Sequence, residues 1–352
     1  MKNIFFSLII ILLLSNCSSP TETENKKTNQ FALAIHGGAG ALAKGNYTPE
    51  QEAAYLQKLN EALALGYSML TNGDSAVAVV EAVIKVLEDS PLFNSGKGSV
   101  ITSNGKIKMD ASIMNGRNLD AGSVSNVQTI KNPISAARKV MEKEKYIMIS
   151  GEGAEFFAKS SGLEIVDPNY FYTQHQYLRW KGMKDSTEIN AIRYVDSIIG
   201  LHPIEASLPV IEKDYGTVGC VVLDKYGNLA AGTSTGGLMN KRYDRIGDSP
   251  VIGAGTYADN NTCAISCTGT GEDFIKTNAA KTVADLIEFK GMTLKEATNE
   301  MIHVRFKPIN GDGGMIAIDN MGNISFQFNS DGMFRGYADE KGKIETFIYK
   351  DE

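Results

Sequence analysis

The chain has 352 residues, a formal net charge of −6, 43% hydrophobic and 22% charged residues. This is the composition of a globular α/β protein, long enough for a large core, and its acidic balance leaves no electrostatic footprint for nucleic acid. Beyond Cys17 the cysteines are Cys220, Cys263 and Cys267, an odd number without paired spacing, and the histidines at 36, 175, 202 and 303 are scattered. No disulfide framework or Cys/His metal site follows from them, and buried free thiols are expected.

Lys2 gives a positive start, and residues 4–14 are apolar except for Ser7. The run is too short to span a bilayer, so residues 1–16 read as a signal peptide. Leu14-Ser15-Asn16-Cys17 is similar to a bacterial lipobox, which would make an acylated Cys17 the mature N-terminus. Asn16 is a less usual neighbour for that cysteine, so a plain secretory signal stays open. The expected location is the bacterial cell envelope, as a membrane-anchored lipoprotein or in the periplasm. Residues 17–30 are polar and read as a flexible tether carrying the lipid.

Residues 31–352 then read as one domain. A strand at 31–36 runs into Gly37-Gly38-Ala39-Gly40. Helical apolar spacing covers 50–70 and 75–87, with Asp74 as N-cap of the second. Segments 99–102 and 106–111 flank Ser103-Asn104-Gly105, a hairpin signal. Residues 133–142 and 153–160 read as helices, and 170–213, with Trp180, Pro203 and Pro209, as a long linker. Strands follow at 217–224, 229–233 and 262–268. Helices at 273–289 and 293–304 and strands at 314–319 and 324–328 complete the order. Paired strands followed by paired helices predict stacked sheets under helical layers.

The chemistry gathers around Asp214-Tyr215-Gly216-Thr217-Val218-Gly219. Within the chain, the Thr217 hydroxyl is a poor nucleophile. Breaking the Gly216–Thr217 peptide would give it an α-amine of reference pKa about 7.7–8, able to take the hydroxyl proton. Gly216 permits the backbone angles and close approach that a scissile bond needs. Taken alone, the tetrapeptide is also an ordinary strand start. Three more Gly/Thr-rich segments follow. Thr268-Gly269-Thr270-Gly271 is a strand-to-helix turn that offers N–H groups to an oxyanion but lacks the lysine of a P-loop. Arg245 and Asp248 suit the carboxylate and ammonium of an α-amino acid, although in isolation they would read as a surface ion pair.

Residues 214–275 closely resemble the plant-type asparaginase/isoaspartyl peptidase family of N-terminal-nucleophile hydrolases. The resemblance continues in Ile35-His36-Gly37-Gly38-Ala39-Gly40, in 88–98 with Pro91-Leu92-Phe93-Asn94, in Met109-Asp110-Ala111-Ser112-Ile113-Met114, in Asn132-Pro133, in Gly151-Glu152-Gly153-Ala154-Glu155 and in Gly313-Gly314. It thus spans nearly the whole chain after the tether, in order. It implies an α+β fold, a four-layer αββα sandwich, cut between residues 216 and 217 into α (17–216) and β (217–352) chains. It implies Thr217 as nucleophile, Thr235 as its supporting hydroxyl, Thr268 and Gly269 as oxyanion donors, and Asn94 near the scissile carbonyl. Arg245, Asp248 and Gly271 would hold the substrate head. A loop using the backbone of Leu87, Glu88, Ser90, Phe93, Ser95 and Lys97 would bind a structural sodium ion; no other cofactor is implied. His36 reads as a satisfied histidine beside a tight turn.

Expected substrates are β-aspartyl dipeptides and L-asparagine, and the expected assembly is an (αβ)₂ dimer touching membrane only through its lipid. Val218, Thr235-Gly236-Gly237 and Thr270 favour this branch over glycosylasparaginases, which usually carry Ile after the nucleophile. Glycosylasparaginase, or a non-catalytic lipoprotein binding module on the same fold, is the alternative. The approach at residues 205–213 has no reading.

Overall fold

The computed structural model describes residues 30–184, 189–200 and 214–352. The signal peptide, Cys17, the tether up to residue 29 and the approach at 205–213 lie outside them. The first half contains β1 (Ala32–Gly40), α1 (Pro49–Asn72), α2 (Ala76–Glu88), β2 (Met109–Asn115), β3 (Ala121–Val127), α3 (Pro133–Lys143), β4 (Met148–Ser150), α4 (Gly151–Ser160), α5 (Gln174–Gly182) and α6 (Ile189–Ile199). Around and after Thr217 come β5 (Asp214–Tyr215), β6 (Val218–Leu223), β7 (Leu229–Thr235), β8 (Thr256–Ala258), β9 (Cys263–Gly269), α7 (Gly271–Thr277), α8 (Ala279–Lys290), α9 (Leu294–Asn299), β10 (Gly313–Asp319), β11 (Ile324–Phe328), β12 (Gly332–Asp339) and β13 (Ile344–Tyr349).

Two sheets stack face to face. Among the described residues one has the order β13-β12-β1-β6-β7-β2-β3-β4, with β5 pairing β1, and the other β11-β10-β9-β8. β1 shows how a strand between two layers is written. Leu33 and Ile35 join the core under α1–α3, whereas Ala32 and Ala34 face the second sheet, the period-2 alternation of a pleated strand. The small residues on the inner face let β1 pack against β10. The core containing α8 and α9 closes the far side, so the layers run α, β, β, α.

The helices α1, α2, α5 and α9 start at side-chain caps. Thr48 and Gln51 form a capping box at α1, satisfying amides that have no partner within the helix. Ser75, not Asp74, caps α2: its extended backbone lets Oγ accept the Ala78 N–H, while the Asp74 N–H is spent on the Met69 carbonyl at the end of α1.

Other expectations need correction. The supposed linker holds α5 and α6, anchored by Trp180, which is fully buried and donates through Nε1 to the Thr102 carbonyl at 2.9 Å. Segments 99–102 and 106–111 meet only at an isolated Ile101–Ile107 bridge before β2 begins at Met109. The helix expected at 273–289 breaks at Asn278, which takes φ 49°. The next widens from α9 into a π-helical turn over Glu300–Arg305. The expectation for Cys220, Cys263 and Cys267 holds: all three are free and buried.

Candidate active site

The Gly216–Thr217 peptide lies in the gap between β5 and β6. Tyr215 pairs with Ala39 and Gly219 with His36, and β1 carries a bulge between His36 and Gly38. The peptide therefore runs beside the Gly37–Gly38 kink rather than within a regular ladder. A β-carbon on Gly216 would come within 2.7 Å of both the Asn94 amide nitrogen and its Cβ. Glycine at 216 is thus required by how closely Asn94 approaches, not by a positive φ.

Thr217 Oγ1 lies 3.0 Å from Thr235 Oγ1, and both residues are buried. Thr235 Oγ1 also accepts the Gly237 N–H at 3.0 Å, leaving its own proton free to face Thr217. Asn94 donates through Nδ2 to the Gly237 carbonyl at 2.7 Å and accepts the Val100 N–H at Oδ1. Its own carbonyl accepts the Gly236 N–H. The asparagine and the Thr235–Gly237 turn are thereby tied in both directions.

Asn94, Thr217, Thr235, Arg245, Asp248 and Gly269 line one cleft, with Gly237, Leu238, Gly247 and Ser249. The room left is about 10 Å³, close to what one water needs. A roomier cleft of about 490 Å³ near Phe328, Arg335 and Phe347 contains none of the residues expected to carry the chemistry, so chemistry rather than size identifies the site. Arg245 grips Glu272 with a two-pronged contact, Nε–Oε1 2.8 Å and Nη2–Oε2 2.6 Å. Asp248 is buried, its Oδ2 has no hydrogen-bond partner among the described residues, and burial pushes its carboxyl up to about 7. Backbone N–H groups of Asp248 and Ser249 reach the carboxylate, but a buried oxygen left without a partner is costly, and a ligand ammonium would supply one. Gly271 packs behind this pair, since a β-carbon there would come within 2.8 Å of both Arg245 Nη2 and Asp248 Oδ1.

The turn expected to cradle an oxyanion is less open than its sequence implies. The Thr270 N–H is taken by the Asp312 carbonyl at 3.0 Å, and Thr268 Oγ1 accepts the Ala39 N–H at 3.4 Å. Gly269 reaches the cleft, with φ 144°. Residues of the expected sodium loop fold back on themselves. A β-carbon on Gly96 would sit 2.2 Å from the Glu88 carbonyl oxygen, and one on Gly98 2.0 Å from that of Phe93. Inward-turned backbone oxygens suit a hard cation. Among the described residues no group of three or more His, Cys, Asp or Glu side chains is arranged to hold a metal.

His36 is more closely involved than its motif indicated. It is buried, its Nδ1 lies 3.0 Å from the Thr217 carbonyl oxygen and its Nε2 2.9 Å from Ser266 Oγ. A carbonyl only accepts, so Nδ1 carries the proton and Ser266 donates to Nε2. Thr233 lies 2.7 Å behind Ser266, and Thr256 donates to Thr233 at 2.6 Å. This hydroxyl chain crosses between the two sheets. Gly219 makes space for it, because a β-carbon there would clash with both Ser266 and His36. Burial holds the imidazole down at about 3. Glu272, His36, and the buried pair Asp110–Lys241 are the neighbours that linear motifs did not assign to the site.

A family described as asparaginase matches residues 29–348. An isoaspartyl peptidase of Salmonella typhimurium is 42% identical, over 92% of this chain and 100% of its own length. A plant-type L-asparaginase of Pyrococcus abyssi is 40% identical, over 88% and 96%. An isoaspartyl peptidase/L-asparaginase of Xenopus laevis is 38% identical, over 86% and 90%.

Proposed function

This chain belongs to the asparaginase family, and we propose that it hydrolyses β-aspartyl peptides and L-asparagine after cutting itself between Gly216 and Thr217. The observation that carries the reading is the 3.0 Å contact between Thr217 and Thr235, made beside Arg245 and an Asp248 carboxylate that has one oxygen, Oδ2, without a hydrogen-bond partner among the described residues.

Maturation begins with attack of Thr217 Oγ on the Gly216 carbonyl carbon. The Gly216 acyl group passes from nitrogen to oxygen, and water hydrolyses the resulting ester. The new α-amine of Thr217 then serves as base. Withdrawal of the strand end before Thr217 opens the cleft, which is nearly filled in the uncut chain. In turnover, the amine accepts the hydroxyl proton as Oγ attacks the side-chain carbonyl of the aspartyl unit. The same proton goes to the departing amine or ammonia, leaving a β-aspartyl ester. Water, deprotonated by the amine, releases aspartate. Thr235 donates to Thr217 Oγ as its charge develops, and Thr268 and Gly269 are assigned to the oxyanion side. Arg245, freed from Glu272, would take the substrate carboxylate and Asp248 its ammonium. A sodium ion on the carbonyls of residues 87–97 would stiffen the loop that carries Asn94, and no step passes through it.

The Cys17 lipid anchor, the envelope location and the (αβ)₂ assembly belong to the same proposal and rest on sequence resemblance. Among the described residues no helix is long and apolar enough to cross a membrane.

Intact-mass analysis tests the self-cleavage. Wild type should give two chains and Thr217→Ala one; a Thr217→Ala protein still cut at that bond would point to an outside protease. Product analysis with β-Asp-Leu, L-asparagine and a glycosylated asparagine then ranks the substrates. A cleaved protein inert on all three would leave the binding-module alternative.

A further inference from the structure

Asp110 and Lys241 form a buried ion pair behind the nucleophile, with side chains 0% and 1% exposed and Nζ 3.7 Å from Oδ2. The pair touches the catalytic turn from both of its ends. Asp110 lies directly opposite Thr235 in the β2–β7 ladder. The Lys241 side chain runs beneath Gly237, where an added β-carbon would be 2.8 Å from Nζ. Gly237, at φ 79°, is the residue whose N–H holds Thr235 Oγ1.

The remaining contacts fix the pair to neighbouring strands. Lys241 donates to the Lys108 carbonyl at 2.9 Å, and Asp110 Oδ1 accepts the Asn126 N–H at 2.8 Å. Asn126, at φ 55°, forms the bulge of β3 opposite β2. On the opposite side of the turn, a β-carbon on Gly236 would be 2.3 Å from Asn94 Oδ1. The Thr235–Gly237 turn is therefore wedged between Asn94 and the Lys241 ammonium.

We infer that the Asp110–Lys241 pair is a positioning device for this hydrolase, pressing the Thr235–Gly237 turn onto Asn94 so that the Thr235 hydroxyl meets Thr217. Neither residue touches substrate. Their effect should fall on steps in which Thr217 Oγ attacks, namely self-cleavage and turnover, and not on grip of the substrate head by Arg245 and Asp248. The inference rests on the proposed hydrolase reading, and wild-type activity on β-Asp-Leu tests that reading separately.

The test compares wild type, Asp110→Asn, Lys241→Met and the double variant in the full chain. Asp110→Asn can keep the bond from the Asn126 N–H at Oδ1 while it removes the charge and places an NH2 donor where Oδ2 faces the Lys241 ammonium. Melting temperature, rate of self-cleavage, and kcat and KM per cleaved chain are measured. For folded Asp110→Asn and Lys241→Met, kcat should fall at least about ten-fold with KM within about three-fold. The double variant should be no worse than the poorer single, as expected for residues acting as one unit. A folded variant that stays uncut counts as support, because the same hydroxyl makes that attack. If Lys241→Met and the double do not fold, Asp110→Asn decides. Folded, cleaved Asp110→Asn with wild-type kcat, or with its loss in KM, overturns the inference. So does Asp110→Asn that cannot fold, since the pair would then serve only the fold.

Discussion

In the proposed reaction, Asp248 and the α-amine of matured Thr217 must each lose a proton before substrate is held and attacked. Burial raises the Asp248 carboxyl to about 7, so below that pH it is neutral and cannot pair with an ammonium. The amine has a reference value of about 7.7–8. Both groups titrate in free enzyme, so kcat/KM should fall with a slope approaching two on the acid side. Once substrate ammonium holds Asp248 ionised, kcat should fall with a slope of one. A slope of one in kcat/KM well below pH 7 would remove Asp248 from substrate binding. His36, held near 3 by burial, is neutral throughout this range. A folded, cleaved His36→Gln enzyme should keep the acid limb of kcat in place, and its loss would return His36 to the list of bases. Arg245→Ala should mature normally, because the scissile peptide has no free α-carboxylate. It should lose about 2–5 kcal/mol of binding for β-Asp-Leu, as expected for truncating a hydrogen-bonded charge; wild-type kcat/KM in that variant would release Arg245 from the clamp.

At the scale of elements, glycines record approaches that no sequence window displays. Gly66 of α1 lies where a β-carbon would be 2.4 Å from Leu33 Cδ2 and 2.8 Å from Val83 Cγ2, at the junction of α1, β1 and α2. Gly66→Ala should destabilise the protein by about 1–3 kcal/mol through overpacking, seen as a lower urea midpoint at unchanged slope. An unchanged midpoint would mean that the helix moves to accommodate the methyl. The helices α1 and α2 were readable in sequence because the residues they bury recur at 3.6, and β6 and β7, buried at every position, because they are short runs of small and apolar residues on either side of a turn. The strand β12 was not. Its sequence Gly332–Asp339 contains two glycines and Arg335, a charge that argues against a central strand. Arg335 is tolerated because it donates to the Met333 and Tyr349 carbonyls and packs over the rings of Phe328 and Phe347. Apart from the Met333 carbonyl on the same strand, those partners come from other strands, and no local window shows that they meet Arg335.

Over the whole molecule, the cut falls inside an interleaved sheet. β1, from the α segment, lies between β12 and β6, and β2 pairs with β7; β6, β7 and β12 all follow Thr217. Cleavage should therefore give two bands on a denaturing gel and one species by native size exclusion. The single tryptophan, Trp180, is in the α segment, while far-ultraviolet circular dichroism reports both segments. Their urea transitions should coincide. A fluorescence transition well before the dichroism change would show that the α segment unfolds independently.

The sequence by itself determined which residue types stand ready for this chemistry. The Gly216-Thr217 pair, the Gly/Thr-rich segments, Arg245 and Asp248 are local signals, and several motifs in the same order made the family legible. Tertiary structure decided what each group does there. Thr217 and Thr235 are eighteen residues apart in the chain and 3.0 Å apart in space; the β6–β7 ladder brings them together. Structure also gave His36 its contact with Thr217, occupied the Thr270 amide with Asp312, paired Arg245 with Glu272, and set Lys241 under Gly237. Motifs specify donors and acceptors along a line. Protonation, orientation and pairing depend on burial and on neighbours from distant strands, which exist only once the two sheets have packed.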